Sequence, residues 1–301
     1  MKLDFDAIIV GAGVSGMSAA IYLKRAGISF LLLEQNYPGG QLNRANKIEN
    51  YPGITEIDGP TLSMNMVEQL NNLKIDVTYE KVLDIIDKKD YKIVKTNNKE
   101  YTAKAVLLAT GRIPRELCLE NEKALVGRGI SWCASCDGLL YKNKIVAIVG
   151  GGNTAIDDAL YLSNICNKVY IIHRSNNFRA EKTSLEKAKV KSNIEFLENR
   201  IITKLNLKED KLDSIVLDND LVLKVDGLFE AIGSIPNIDY LKSLDINIDN
   251  DYIIVDDKMQ TSIEGIYASG DSIKKDLYQV VTASSEGAIA ANAIIKYLNC
   301  K

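Results

Sequence analysis

Histidine is almost missing from this chain of 301 residues, with His173 the only one. That rules out metal sites built from several histidines, and no metal is expected. It also rules out Ser-His-Asp or Cys-His catalysis unless His173 itself takes part. Cysteine is scarce too: five residues are too few and too scattered for a secreted disulfide framework. Cys118, Cys166 and Cys300 stand apart and read as free thiols, whereas Cys133 and Cys136 are close in sequence. No apolar run approaches the length of a membrane span. Met1 to Asp6 leads straight into the apolar strand Ala7-Ile8-Ile9-Val10, so no signal peptide is expected and the expected location is cytoplasmic. A formal net charge of −3 gives no reason to expect nucleic acid or an anionic membrane as a partner. With so few candidate side chains, the chemistry is expected to use a bound cofactor.

The length exceeds what one hydrophobic core usually serves, so two domains are expected. The chain opens as strand, glycine turn, helix over 15–25 and strand over 30–33, which is a βαβ unit. A loop rich in Gly, Asn and Pro follows, then a helix over 61–73. Short alternating segments at 77–79, 91–94 and 101–103 suggest a β-meander, and a strand over 105–109 ends in Thr110-Gly111. The pattern then restarts with a strand over 144–149, glycines, a helix over 154–163 and a strand over 168–172, followed by further short strands. A strand at 265–268 leads to Gly270-Asp271, and a helix over 284–298 closes the chain. The expected fold is α/β, with two Rossmann-like nucleotide-binding domains of the three-layer ββα type, the second inserted into the first. The boundaries read as 1–113 plus 243–301 for the first domain and 114–242 for the second.

Three motifs carry chemistry. Gly11-x-Gly13-x-x-Gly16 lies between a strand and a helix, the setting a dinucleotide turn needs, and Glu34 ends the next strand where it can bind ribose hydroxyls. The alternative is a structural glycine turn. Gly150-x-Gly152-x-x-Ala155, with Asn153 and Thr154 between, repeats the setting. Here the next strand ends in His173-Arg174, with Arg179 soon after, instead of in an acid. Arginine accommodates a 2′-phosphate, which favours NADPH over NADH; solvated surface charge is the bland reading. Cys133-x-x-Cys136 reads best as a redox disulfide, because it lies in a chain with two dinucleotide sites; a zinc half-site lacks its second ligand pair, and an incidental pair is the remaining alternative. Asp137 could move protons as the dithiol reacts, or could serve an Asp-Gly turn.

With these residues in place, the chain resembles the low-molecular-weight thioredoxin reductases over nearly its whole length. Further matching landmarks are Gly39-Gly40-Gln41-Leu42, Glu49-Asn50-Tyr51-Pro52-Gly53, Ala109-Thr110-Gly111, Phe178-Arg179-Ala180, Ile232-Gly233-x-x-Pro236-Asn237, Gly270-Asp271, Gln279-Val280-Val281-Thr282-Ala283 and Glu286-Gly287-Ala288. The resemblance implies FAD in the first domain, with Gly40, Gln41, Asn50, Thr110 and Gly111 among the residues around it. Asp271 would lie on its ribityl chain, and Gln279, Val280 and Val281 near its ring. It implies a homodimer in which electrons pass from NADPH through FAD and the Cys133–Cys136 disulfide to thioredoxin, with Cys136 the sulfur on the flavin side. The inserted domain would rotate, so that disulfide and nicotinamide take turns at the flavin.

The chain departs from the family pattern in two places. Ser175 stands where the usual His-Arg-Arg has its second arginine, and Tyr278 stands where arginine usually precedes Gln279. Both touch the donor half of the chemistry. The rival readings are therefore the same flavin and dithiol fed by ferredoxin or another protein, and a dithiol oxidase that uses oxygen. A nucleotide-sensing binding protein with a vestigial cysteine pair is the rival from another class, and Cys133, Cys136 and Asp137 together argue against it.

Overall fold

The computed structural model describes residues 2–45 and 47–300. The chain divides into two compact units, Met1–Ile113 with Ile235–Lys301, and Pro114–Ser234. The change back to the first unit was expected after 242 and comes eight residues earlier. Tyr240 and Leu241 are the reason: both are buried among Val10, Val106 and Leu108 in the first unit's core. Tyr240 also shares a 2.9 Å hydrogen bond with the Thr110 hydroxyl.

The first unit is built on a sheet in the order 77–79, 30–34, 5–10, 100–108, 92–96, 82–87, with Ile266–Ala268 also pairing to Glu100–Leu108. Phe5–Val10 is parallel to both neighbours. Side chains alternate along it, as a sheet buried on both faces requires. Ala7 and Ile9 face Met17, Leu23, Leu70, Ala290 and Ile294 of three helices, Val14–Arg25, Gly59–Asn72 and Val280–Asn299. Ile8 and Val10 face the opposite core with Val82, Ile85, Val94 and Tyr101.

Two expectations change here. Val77–Tyr79 is not part of the meander; it pairs in parallel with Phe30–Glu34. It follows the helix Gly59–Asn72, and a strand reached through a helical crossover returns parallel. The meander is instead Val82–Asp87, Lys92–Thr96 and Glu100–Leu108. The segments expected at 101–103 and 105–109 are one continuous strand. Its first half closes the meander, and its second half lies in the parallel core.

The inserted unit repeats the plan with a parallel sheet in the order 194–198, 168–173, 145–149, 227–230, 130–131. Helices Asn153–Ser163 and Lys182–Lys189 cover one face, and a three-stranded antiparallel sheet over 202–224 covers the other. Among the described residues, no helix is long and apolar enough to cross a membrane.

Candidate functional site

The two glycine turns share a geometry that separates structural glycines from ligand-facing ones. Gly11 has φ +104°, and a Cβ there would strike the Ala109 carbonyl oxygen; a Cβ on Gly16 would strike the Gly11 carbonyl oxygen. Gly150 has φ +153° and lies in the same way against the Ala231 carbonyl oxygen. These three are fixed by backbone and packing. Gly13 and Gly152 are not. Their φ values, −74° and −96°, suit any residue, and nothing lies within 4 Å of where a Cβ would sit. Each caps a helix that receives no side-chain hydrogen bond at its N-terminus. Bare helix N-termini fronted by open space are what phosphates need.

Around the first turn, the expected residues are knitted together. Glu34 accepts from Ala12 N at 2.8 Å and from Asn36 N at 2.9 Å, so its carboxylate braces the turn. Gly40, at φ +56°, faces the Gly13 Cα. Gln41 Nε2 donates to the Arg112 carbonyl at 2.7 Å, next to Gly111, whose φ is +60°. Asn50 Nδ2 donates to Gln279 Oε1 at 3.0 Å. Thr110 Oγ1 donates to the Asn237 carbonyl at 2.9 Å. Val280 and Val281 open the last helix, which starts four residues before the expected 284. Gln279 N donates to Thr282 Oγ1 at 3.2 Å and fixes that start.

Asp271 stands beside an ion pair that the sequence reading did not pick out. Lys275 Nζ lies 2.8 Å from Glu286 Oε2 and 3.5 Å from Asp271 Oδ1. Glu286 also accepts from Gly270 N at 2.9 Å. Burial pushes the Glu286 carboxyl up, and Lys275 opposes that shift. Tyr278, in the usual arginine's place, is not far from positive charge. Arg112 Cζ is 5.2 Å from its ring and 5.7 Å from that of Tyr252, and Lys275 Nζ is 5.3 Å from the Tyr278 ring. Burial, with Tyr252 next to it, pushes the Tyr278 phenol up to about 12.

In the inserted unit, the His173 ring occupies the space a Cβ on Gly151 would need, and Arg179 N donates to the Gly151 carbonyl at 2.7 Å. Asn153 Oδ1 accepts from Glu181 N at 2.8 Å. Thr154 is exposed and Ala155 is buried against the sheet. Arg174 and Arg179 are exposed. Ser175 turns its hydroxyl back to His173 Nε2 at 3.2 Å.

Cys133 and Cys136 are joined as a disulfide, with Cα atoms 5.3 Å apart. Cys133 caps the four-residue helix Ala134–Asp137, and its Sγ accepts from Cys136 N at 3.2 Å. Asp137 Oδ2 accepts from Ser131 Oγ at 2.7 Å, and Ser131 Oγ accepts from Cys133 N at 3.0 Å. Asp137 ends that helix, and a short 3-10 helix over 138–141 begins at the next residue. Gly138 has a helical φ of −56°, and a Cβ there would lie 3.0 Å from the side chains of Tyr161 and Leu162.

Residues 5–287 match the pyridine nucleotide-disulphide oxidoreductase family. The chain is 38% identical over 299 residues to a thioredoxin reductase of Bacillus subtilis, covering 98% of this chain and 95% of that one. A thioredoxin reductase structure from Lactococcus lactis superposes with a TM-score of 0.88 at 36% identity, over 99% of this chain and all of that one. A ferredoxin-flavin thioredoxin reductase from Clostridium acetobutylicum is more distant, with a TM-score of 0.56 at 30% identity over 99% of each chain. Two open glycine turns in duplicated α/β units, a Cys-x-x-Cys disulfide and similarity along the full length thus place the chain among the pyridine nucleotide-disulphide oxidoreductases, as a low-molecular-weight thioredoxin reductase.

Proposed function

We propose that the chain reduces the disulfide of thioredoxin or a thioredoxin-like protein through Cys133 and Cys136, with FAD held by the first unit and NADPH by the inserted one. One observation carries the reading. The redox disulfide shares a chain with two helix N-termini whose capping glycines, Gly13 and Gly152, are needed by neither backbone nor packing. When bound, the two nucleotides supply two-electron transfer from a soluble donor to a disulfide. The residues that would hold FAD are Gly11, Gly13, Gly16, Glu34, Gly40, Gln41, Asn50, Thr110, Gly111, Asp271, Gln279, Val280 and Val281. Those for NADPH are Gly150, Gly152, Asn153, Thr154, Ala155, His173, Arg174 and Arg179. The homodimer comes from the resemblance alone, and the cytoplasmic setting from the N-terminal sequence, which carries no signal-peptide pattern.

The protein's own chemistry balances simply. The Cys133–Cys136 bond takes up two electrons and two protons and opens to a dithiol. One thiolate then attacks the partner's disulfide, forms a mixed disulfide and releases one partner thiol. The second cysteine attacks the mixed disulfide, re-forms Cys133–Cys136 and releases the other thiol. Asp137, tethered by Ser131, holds or moves the proton at a cysteine Sγ during these steps.

Cys133→Ser and Cys136→Ser should each abolish thioredoxin reduction while flavin stays bound, measured by insulin precipitation and flavin absorbance. Wild-type turnover in either variant would end the reading. Ser175 and Tyr278, which stand where arginines are usual, favour one rival, a ferredoxin donor. If NADPH leaves the flavin oxidised at millimolar concentration while reduced ferredoxin bleaches it, that donor replaces NADPH.

A further inference from the structure

Trp132 is the only tryptophan in the chain and directly precedes Cys133. It leaves the strand Ile130–Ser131, which pairs with Gly227–Glu230 through Ile130↔Leu228 and Ser131↔Phe229. The next step of that register sets Trp132 beside Glu230, and the indole Nε1 donates to Glu230 Oε2 at 2.8 Å. Glu230 is 4% exposed, and among the described residues no N–H or hydroxyl donates to its Oε1. Glu122, 2% exposed, faces it. The Glu122 oxygens accept from Leu117 N at 2.7 Å and Leu119 N at 2.8 Å. An orphaned carboxyl oxygen buried beside a second carboxyl is short of one proton. With that proton on Oε1, Glu230 donates to Glu122 and accepts from Trp132, and the chain of hydrogen bonds is complete.

Burial first, and then the charge of Glu122, push the Glu230 carboxyl up to about 8. Glu116 adds to the negative potential and is paired with Lys123 at 3.6 Å. The strand on the other side brings Val149 to this register, which carries no charge. The redox loop beyond contributes Trp132 itself and the Ser131–Asp137 tether.

We propose that Glu230 is a positioning residue for the redox loop: protonated and bonded to Glu122, it anchors Trp132 and so fixes the backbone that carries Cys133, and loss of its proton releases that anchor. The proposal rests on the reading of Cys133–Cys136 as the reacting pair. Ionisation sets two negative carboxylates side by side in a nearly dry site, and they repel. Glu230 then moves toward water and takes the indole's acceptor with it. Disulfide exchange slows because Cys133 no longer starts from one geometry.

Because the tryptophan is single, 5-fluorotryptophan gives the FAD-loaded enzyme one ¹⁹F resonance. In the oxidised wild type it should move in one transition centred about pH 8. Glu230→Gln keeps an acceptor for the indole and a donor for Glu122 but does not titrate, so the transition should vanish. Glu122→Gln removes the neighbouring charge and should move the transition to lower pH. In parallel, reduced enzyme is mixed with a dipyridyl disulfide, and the ratio of Glu230→Gln to wild-type exchange rates should climb several-fold across the same range. A wild-type resonance that stays put from about pH 6 to about pH 10 overturns the proposal without any variant. So does an unchanged transition in Glu230→Gln, or a flat rate ratio. Failure of the underlying reading shows separately: Cys133→Ser and Cys136→Ser variants that still pass electrons to thioredoxin at the wild-type rate would remove the role of the loop, whatever Trp132 does.

Discussion

Gly287 of the last helix lies against the Ser15 carbonyl oxygen of the first helix, with no room for a Cβ between them. The contact is reinforced where Ser18 Oγ donates to the Ser284 carbonyl at 2.7 Å. Gly287→Ala should therefore push the two helices apart and destabilise the first unit by about 1–3 kcal/mol, the usual cost of overpacking. Chemical denaturation of the purified protein would show it. A variant as stable as the wild type would mean that the helices yield freely.

The open glycines should behave in the opposite way. Gly13→Ala and Gly152→Ala meet nothing within 4 Å in the protein, so each apoprotein should stay within about 0.5 kcal/mol of the wild type. Ligand binding should suffer selectively: Gly13→Ala should retain less flavin after dialysis, and Gly152→Ala should bind NADPH more weakly by calorimetry. Equal loss of both ligands in both variants would contradict the assignment of one turn to each.

Ser175→Arg restores the basic group absent beside the second turn. A charge-assisted hydrogen bond is worth roughly 1.5–3 kcal/mol, so NADPH binding should tighten by about tenfold or more. NADH, without the 2′-phosphate, should change little. The substitution also frees His173 Nε2 from the Ser175 hydroxyl. Equal tightening of NADH and NADPH would show that His173, and not phosphate recognition, had changed.

Asp158 gives a pH dependence whose sign follows from its burial. It is 7% exposed, and burial, with the Asp157 charge second, pushes it up to about 7. The folded state then holds a proton that the unfolded state gives up near its ordinary value of about 3.9. This contribution is complete below that value and is lost as pH rises through about 7. Asp158→Asn should flatten the fall, so its melting temperature relative to wild type should rise between about pH 5 and about pH 8, by about 2 °C for each kcal/mol recovered. A difference that does not vary with pH would show that Asp158 is already ionised in the fold.

What the sequence made legible was what a local rule governs. Gly11 and Gly150 announce themselves because a positive φ beside a neighbouring carbonyl admits little else, and Cys133-x-x-Cys136 because two sulfurs three residues apart have few other uses. Pairings across long stretches left no such trace. Glu230 with Glu122 joins segments whose partner is fixed only when the inserted unit's sheet forms. The helix Lys182–Lys189 was missed because half of it is charged and it buries only Ala188 fully, too little for an apolar period to show. Val77–Tyr79 was misassigned because three residues cannot announce which edge of a sheet they will join.

The strand Glu100–Leu108 pairs along its second half with both Phe5–Val10 and Ile266–Ala268, and the whole inserted unit lies between those partners in sequence. On a ribosome, residues 114–234 are therefore synthesised as one continuous stretch, with every residue of their own core in hand, before the first unit's last strand and closing helix are made. The order of birth is inverted relative to the order of completion: the segment made first waits longest. The first glycine turn gains its neighbour at Ser269, whose hydroxyl meets Ser15 Oγ at 2.6 Å, only when all but the last 32 residues of the chain have been made.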